Sequence, residues 1–402
     1  MLQTLRKMRK NSIFLSLFLS AMSLSAQNVE SDKAALLAEI EKNNTTLAAL
    51  RQKAVADKQL NSVDNVLPDP SFNFSNTWGN QPGSVTSQSY SIEQELDWGT
   101  LSGIKKSTTR VANKDIDLNY LAERQIILAE VDQLIIELIY FNALCEELSM
   151  RQERAAQLKL LYEKKFNAGD ADKLELNKVK INHTATIAEY RKAIADKEAI
   201  MDDLQRYNGD KPVKFNNKKY TTTALPPLVD LMKRAHETAP QIAKINNAIE
   251  LEQQRLKLSK SEGIPNLSIG YAGSSAKKNR TNALTMGIDI PLWGNSRRKV
   301  KHQRVAVTVA EYEKKDVEVQ IVSTLKRQYT NAKSLIQISE QFYRDLNDNE
   351  DIKILDKALD AGKLSLIDYL NEISFYYSAH DKALEAEKSA QLAISYLWTI
   401  FR

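Results

Sequence analysis

Four segments of the chain alternate apolar and polar residues with period two, the pattern of a strand whose two faces meet different surroundings. Over residues 71–78, Phe72, Phe74 and Trp78 share a face with Asn76, and Ser71, Asn73, Ser75 and Thr77 take the other. Over 89–98, Tyr90, Ile92, Leu96 and Trp98 oppose Ser91, Glu93, Glu95 and Asp97. Leu267, Ile269 and Tyr271 alternate with Ser268, Gly270 and Ala272 over 267–273, and over 283–293 Leu284, Met286, Ile288, Ile290 and Leu292 oppose Thr285, Gly287, Asp289 and Pro291. Segments of this length suit tilted membrane strands. They would equally suit two hairpins on a soluble core, which also alternate. Trp78, Trp98 and Trp293 at the segment ends favour a bilayer, because such rings collect at its interfaces. Four strands cannot close a barrel, so membrane strands here would need further chains to cover their open edges.

Between the strand pairs the period changes. Ile127, Val131, Leu134, Leu138, Phe141, Cys145 and Leu148 follow at alternating steps of four and three, as do Leu366, Leu370, Ile373, Tyr377, His380 and Leu384. That spacing predicts helices with a left-handed packing seam, the first running from about Thr108 to Phe166. Each long helix ends at a glycine followed by a short polar starter: Gly169-Asp170-Ala171-Asp172, and Gly362-Lys363-Leu364-Ser365. A helix-hairpin turn explains both. Glu175 and Asp368 just beyond gain interest only if several copies converge on an axis, where like carboxylates repel each other and attract cations.

The order of these features repeats. Thr45-Thr46 and Pro240-Gln241 occupy matching helical settings, Leu67-Pro68-Asp69-Pro70 matches Ile264-Pro265-Asn266, Leu96-Asp97-Trp98-Gly99 matches Pro291-Leu292-Trp293-Gly294, and Asn167-Ala168-Gly169 matches Asp360-Ala361-Gly362. The displacements lie between 193 and 197 residues. The chain is therefore expected to be a duplication, with a first repeat over 27–207, a linker over 208–227 and a second repeat over 228–402.

Composition refines this picture. The 402 residues include 12 Gly and 9 Pro, a scarcity of chain breakers that suits long helices. The formal charge of +5 is misleading. Residues 1–26 read as a secretory signal, with Arg6, Lys7, Arg9 and Lys10 ahead of the apolar run Ile13 to Leu19 and a small-residue end at Ala26. Without those four cations, 52 Lys plus Arg face 51 Asp plus Glu. The one cysteine, Cys145, permits no intramolecular disulfide, and none follows the signal to carry a lipid.

Catalytic signatures are lacking. His183, His236, His302 and His380 stand apart, with no His-Glu-x-x-His pair, no phosphate loop and no nucleophile turn. No enzyme activity, metal site or cofactor is expected. The basic run Arg297-Arg298-Lys299 reads as a membrane-proximal or solvated helix start, not a nucleic-acid site.

Taken together, the duplicated helix-strand-strand-helix plan, the Leu67-Pro68-Asp69-Pro70 and Ile264-Pro265-Asn266 entries, the Pro291-Leu292-Trp293-Gly294 exit and the Ala361-Gly362 turn running into Leu366-Ile367-Asp368-Tyr369-Leu370 resemble the TolC family of outer-membrane efflux proteins. The resemblance covers essentially the whole mature chain and leans to the metal- and drug-efflux branch. It implies an α+β, mainly α fold and a homotrimer. Each protomer would give four strands to a twelve-stranded outer-membrane barrel, continued by a long α-helical tunnel in the periplasm. It also implies a periplasmic adaptor protein, an inner-membrane pump of the resistance-nodulation-division type and a role as a passive exit duct. Gly169, Asp170, Ala171, Gly362, Lys363, Leu364 and Ser365 match the adaptor-contacting tips. Asp368 matches an aperture aspartate, with Asn371 where a second acid is found in some members and Glu175 as a further candidate. Glu93, Glu95, Asp97 and Asp289 would face the lumen. Thr45 departs from the proline present at Pro240. The competing class is a periplasmic coiled-coil adaptor or scaffold, but such proteins place one helical hairpin within flanking β domains, whereas here the whole unit repeats.

Overall fold

A computed structural model describes residues 32–79, 85–221, 224–276, 279–291, 293–346 and 350–401. The signal segment and Leu292 lie outside them. The element order is α1 (residues 32–43), α2 (Thr45–Ser62), β1 (Ser71–Trp78), β2 (Val85–Leu96), α3 (Trp98–Leu101), α4 (Ile104–Ala168), α5 (Lys173–Tyr207), α6 (Leu228–Thr238), α7 (Pro240–Ser261), β3 (Asn266–Ala276), β4 (Asn279–Asp289), α8 (Asn295–Asp345), α9 (Glu350–Asp360) and α10 (Leu366–Trp398). The chain forms two compact units. One holds the chain up to Ala48 with Arg124–Lys233 and Ser323–Arg402, and the other holds Ala49–Glu123 and Arg234–Val322.

Neither glycine nor proline interrupts α4, whose 65 residues give about 97 Å of helix at 1.5 Å per residue. In the first unit its predicted seam is buried at Ile127, Val131, Leu138 and Leu148. Ile135, Ile136 and Ile139 lie off that seam and are buried as well. The reason is a second covering layer: Leu36 and Ile40 of α1 and Val213 and Phe215 of the segment after α5 join the same apolar cluster. That segment is pinned by polar contacts. The buried Asn142 amide donates to the carbonyl oxygens of Phe215 (3.3 Å) and Asn217 (3.0 Å), and the Tyr220 hydroxyl donates to that of Ile136 (2.9 Å). Thr45 and Pro240 turn out to be equivalent: each is the first residue of its helix. Asn44 achieves with its side chain, which accepts from the Leu47 amide at 2.8 Å, the start that proline's fixed φ favours in the second half.

In the second unit the strands form one antiparallel sheet in the order β1-β2-β3-β4. Beneath it Val111, Ile242, Ile245 and Leu251 are buried, and the Asn247 amide donates to the Val111 carbonyl at 3.3 Å.

Candidate functional sites in the sheet and at the helical turns

The register turns the alternation into rows. Phe72 faces Ile92, Ile92 faces Tyr271 and Tyr271 faces Leu284, so one apolar row crosses all four strands. Leu96, Leu267 and Ile288 form another row on the same face, and Ile269 and Met286 pair between them. Among the described residues nothing covers this face: Leu284 is 83% and Met286 84% exposed. Towards the hairpin ends the row of Asn76, Gln88, Ser275 and Arg280 terminates it with polar groups. An apolar stripe closed by polar residues is what a bilayer selects and what water penalises.

The opposite face is polar and built from small residues. Ser71, Glu93, Gly270 and Thr285 make one row, and Asn73, Ser91, Ala272 and Ala283 the next. Gly270 is required by crowding, because a Cβ there would lie 2.6 Å from Thr285 Oγ1 and 2.7 Å from the Ile92 carbonyl oxygen. Glu93 and Glu95 belong to this face, and Glu95 Oε1 accepts from the Asn266 amide at 2.8 Å. Asp289 ends β4 opposite Asn266.

Asp97 departs from the sequence expectation. Strand β2 stops at Leu96, and Asp97 caps α3 by accepting from the Thr100 amide (2.8 Å) and hydroxyl (2.7 Å). It also pairs with Lys105 at 3.2 Å. Its carboxylate is consumed by the foot of the sheet. Alternation continues through this residue in the sequence, so capping was hidden by the strand pattern.

The two helix turns of the first unit share one construction. Gly169 (φ +86°) and Gly362 (φ +67°) take the left-handed conformation after α4 and α9. The Asp170 amide donates to the Lys165 carbonyl at 2.8 Å and the Lys363 amide to the Ala358 carbonyl at 2.9 Å. Next, Asp172 and Ser365 cap α5 and α10. Glu175 Oε2 accepts from the Asp172 amide (3.0 Å) and Asp368 Oδ2 from the Ser365 hydroxyl (2.6 Å), so both predicted aperture carboxylates sit at the third helical position and complete a cap. Asp368 and Asn371 are exposed on α10, while Leu176, Val179, Leu366, Tyr369 and Ile373 close the core behind the turns. Ala171 and Leu364 pack against the edge of that core.

Two arginines here were not apparent from the sequence. Arg151 is only 3% exposed. It donates from Nη1 and Nη2 to Asp381 (2.9 and 2.7 Å) and from Nε to Glu147 (2.9 Å), and lies over the Tyr377 ring. Arg154 pairs with Asp356, which also accepts from the Tyr369 hydroxyl at 2.8 Å. Burial, together with the Asp356 hydrogen bond, pushes the Tyr369 phenol up. The hint available was Glu147-Arg151 at helical spacing beside an apolar seam, a pattern shared by most surface pairs.

Among the described residues no cluster of His, Cys, Asp and Glu could hold a metal ion, and no helix is long and apolar enough to cross a membrane. No protein-family profile and no curated protein matches the sequence. Solved structures do. The Campylobacter jejuni CmeC outer membrane channel superposes with a TM-score of 0.71 at 16% identity, covering 92% of this chain and 85% of that one. CusC, solved in a study of transmembrane channel formation, gives 0.73 at 14% identity over 92% of both chains. The outer membrane protein VceC from Vibrio cholerae gives 0.71 at 13% identity, covering 93% of this chain and 97% of that one. The chain has the TolC-type channel fold.

Proposed function

We propose that this chain is the outer-membrane channel of a tripartite efflux system, a passive duct in the outer membrane of a Gram-negative-type bacterium with its helices in the periplasm. The observation that carries this reading is the sheet. One face is apolar and bare, the other is polar, and both edge strands lack partners among the described residues. In hydrocarbon those edges must be paired. An even number of strands lets β4 of one copy meet β1 of the next in antiparallel sense, and three copies of four strands give a closed barrel of twelve. The polar faces, with Glu93, Glu95 and Asp289, then line the lumen. The turns at Gly169–Ala171 and Gly362–Ser365 are the contacts for a periplasmic adaptor, Asp368, Asn371 and Glu175 lie at the aperture, and an inner-membrane pump of the resistance-nodulation-division type supplies energy and selects cargo. CmeC and CusC are both described as membrane channels.

A periplasmic scaffold with the same sequence pattern would cover its apolar sheet face within the chain, and among the described residues nothing does. Membrane fractionation followed by conductance of the purified oligomer tests the reading. Discrete conductance from an outer-membrane trimer is expected, and recovery as a soluble periplasmic monomer sinks it.

A further inference from the structure

We propose that a basic groove at the foot of the sheet binds the headgroups of anionic phospholipids in the periplasmic leaflet, an inference that rests on the membrane reading above. The groove, about 660 Å³, lies between the end of α2 and the start of α4. Lys106, Arg110 and Lys114 line it at helical spacing, with Ser62, Asn65 and Asn113 as hydroxyl and amide partners. Its one carboxylate, Asp117, is paired with Lys58. Among the described residues the three groove cations form no ion pair.

Position identifies the occupant. The groove is built from residues that lead into β1 and leave β2, so it lies at the end of the sheet where the helices begin. In the segments that flank it, which lead into and out of the sheet carrying the apolar stripe, Leu60, Val63, Val66 and Leu101 are exposed. Acyl chains meeting that stripe would bring their phosphates to the groove.

Charge placement argues the same way. Helix starts favour acids and disfavour cations, because the backbone amides there already carry positive potential. Yet α4, which leaves the sheet, has no acid in its first turn and carries Lys106 there, beside a Lys105 already paired with Asp97. Of the three groove cations only Lys106 has a basic counterpart 195 residues on, Lys301; Arg110 and Lys114 correspond to Val305 and Val309, so the groove belongs to the first repeat alone. A local arrangement that works against helix stability, with Lys106, Arg110 and Lys114 in no ion pair among the described residues, points to a bound anion.

The test uses the purified full-length oligomer in neutral detergent, with its melting temperature followed as phosphatidylglycerol or phosphatidylcholine is added. Phosphatidylglycerol should half-saturate at a mole fraction lower by roughly a hundredfold, with the preference shrinking at high salt, because each of the three groove cations is worth about fivefold. The triple variant Lys106→Gln/Arg110→Gln/Lys114→Gln should lose the preference. The equally discharged Lys164→Gln/Lys178→Gln/Lys192→Gln should keep it. Equal responses to both lipids, or a preference surviving in the groove variant, overturns the proposal. So does competition by free inorganic phosphate at matched phosphate concentration, which would make the groove a general anion site. Conductance of the same sample separates the two readings: a conducting oligomer without lipid preference removes only the groove, and a non-conducting one removes the channel.

Discussion

Arg151 shows how a single buried charge is tolerated: two carboxylates, the Tyr377 carbonyl and the Tyr377 ring together replace its lost water. Removing Asp381 would strand part of that charge. Asp381→Ala should lower stability by about 1–3 kcal/mol, less than a fully buried pair would lose because its own side chain is 43% exposed. The shift of the denaturant midpoint reads it directly. Tyr369 adds a pH signature. Its phenol is raised above the ordinary value of 10.0, so the folded chain keeps a proton that the unfolded chain gives up. Stability should be intact below that pH and fall as pH rises beyond it. Tyr369→Phe should flatten the alkaline limb of a melting-temperature profile. Neither residue announced itself in the sequence, since their partners lie about two hundred positions away or on a neighbouring helix, and no local spacing reports such distances.

At the scale of elements, adjacent residues of β4 offer a contrast that isolates the membrane face. Leu284→Lys places a charge on the bare apolar face and should cost roughly 2–4 kcal/mol of insertion, seen as loss of protein from the outer-membrane fraction. Ala283→Lys sits one residue earlier on the polar face. It should insert normally and reduce cation preference in reversal-potential measurements. Equal insertion defects from both would reject the two-faced sheet. The turns behave differently. Nothing lies within 4 Å of a Cβ at Gly362, so Gly362→Ala should cost about 1 kcal/mol from backbone strain alone, with Gly362→Asn milder. Strands, long helices and turns were legible because each has its own period or breaker. Their ends were not: Asp97 continues an alternation while performing a cap, and the burial of α4 beyond its seam needs α1 and residues 213–215, which no helical period encodes.

For the whole molecule the order β1-β2-β3-β4 carries a kinetic consequence. The outer pairs are local hairpins, but the central pair joins Leu96 to Leu267 and Gln88 to Ser275, across nearly half of the chain. Contacts so distant in sequence form late, after the loop-closure entropy has been met. A chain made from its N-terminus can wind α4 and α5 early, yet its sheet stays in two halves until the second hairpin has been made. The bare apolar face is therefore assembled last. Sheet assembly is thus ordered by topology: the bare apolar face cannot close until the second hairpin, ending at Asp289, has been made, roughly seven-tenths of the way along the chain.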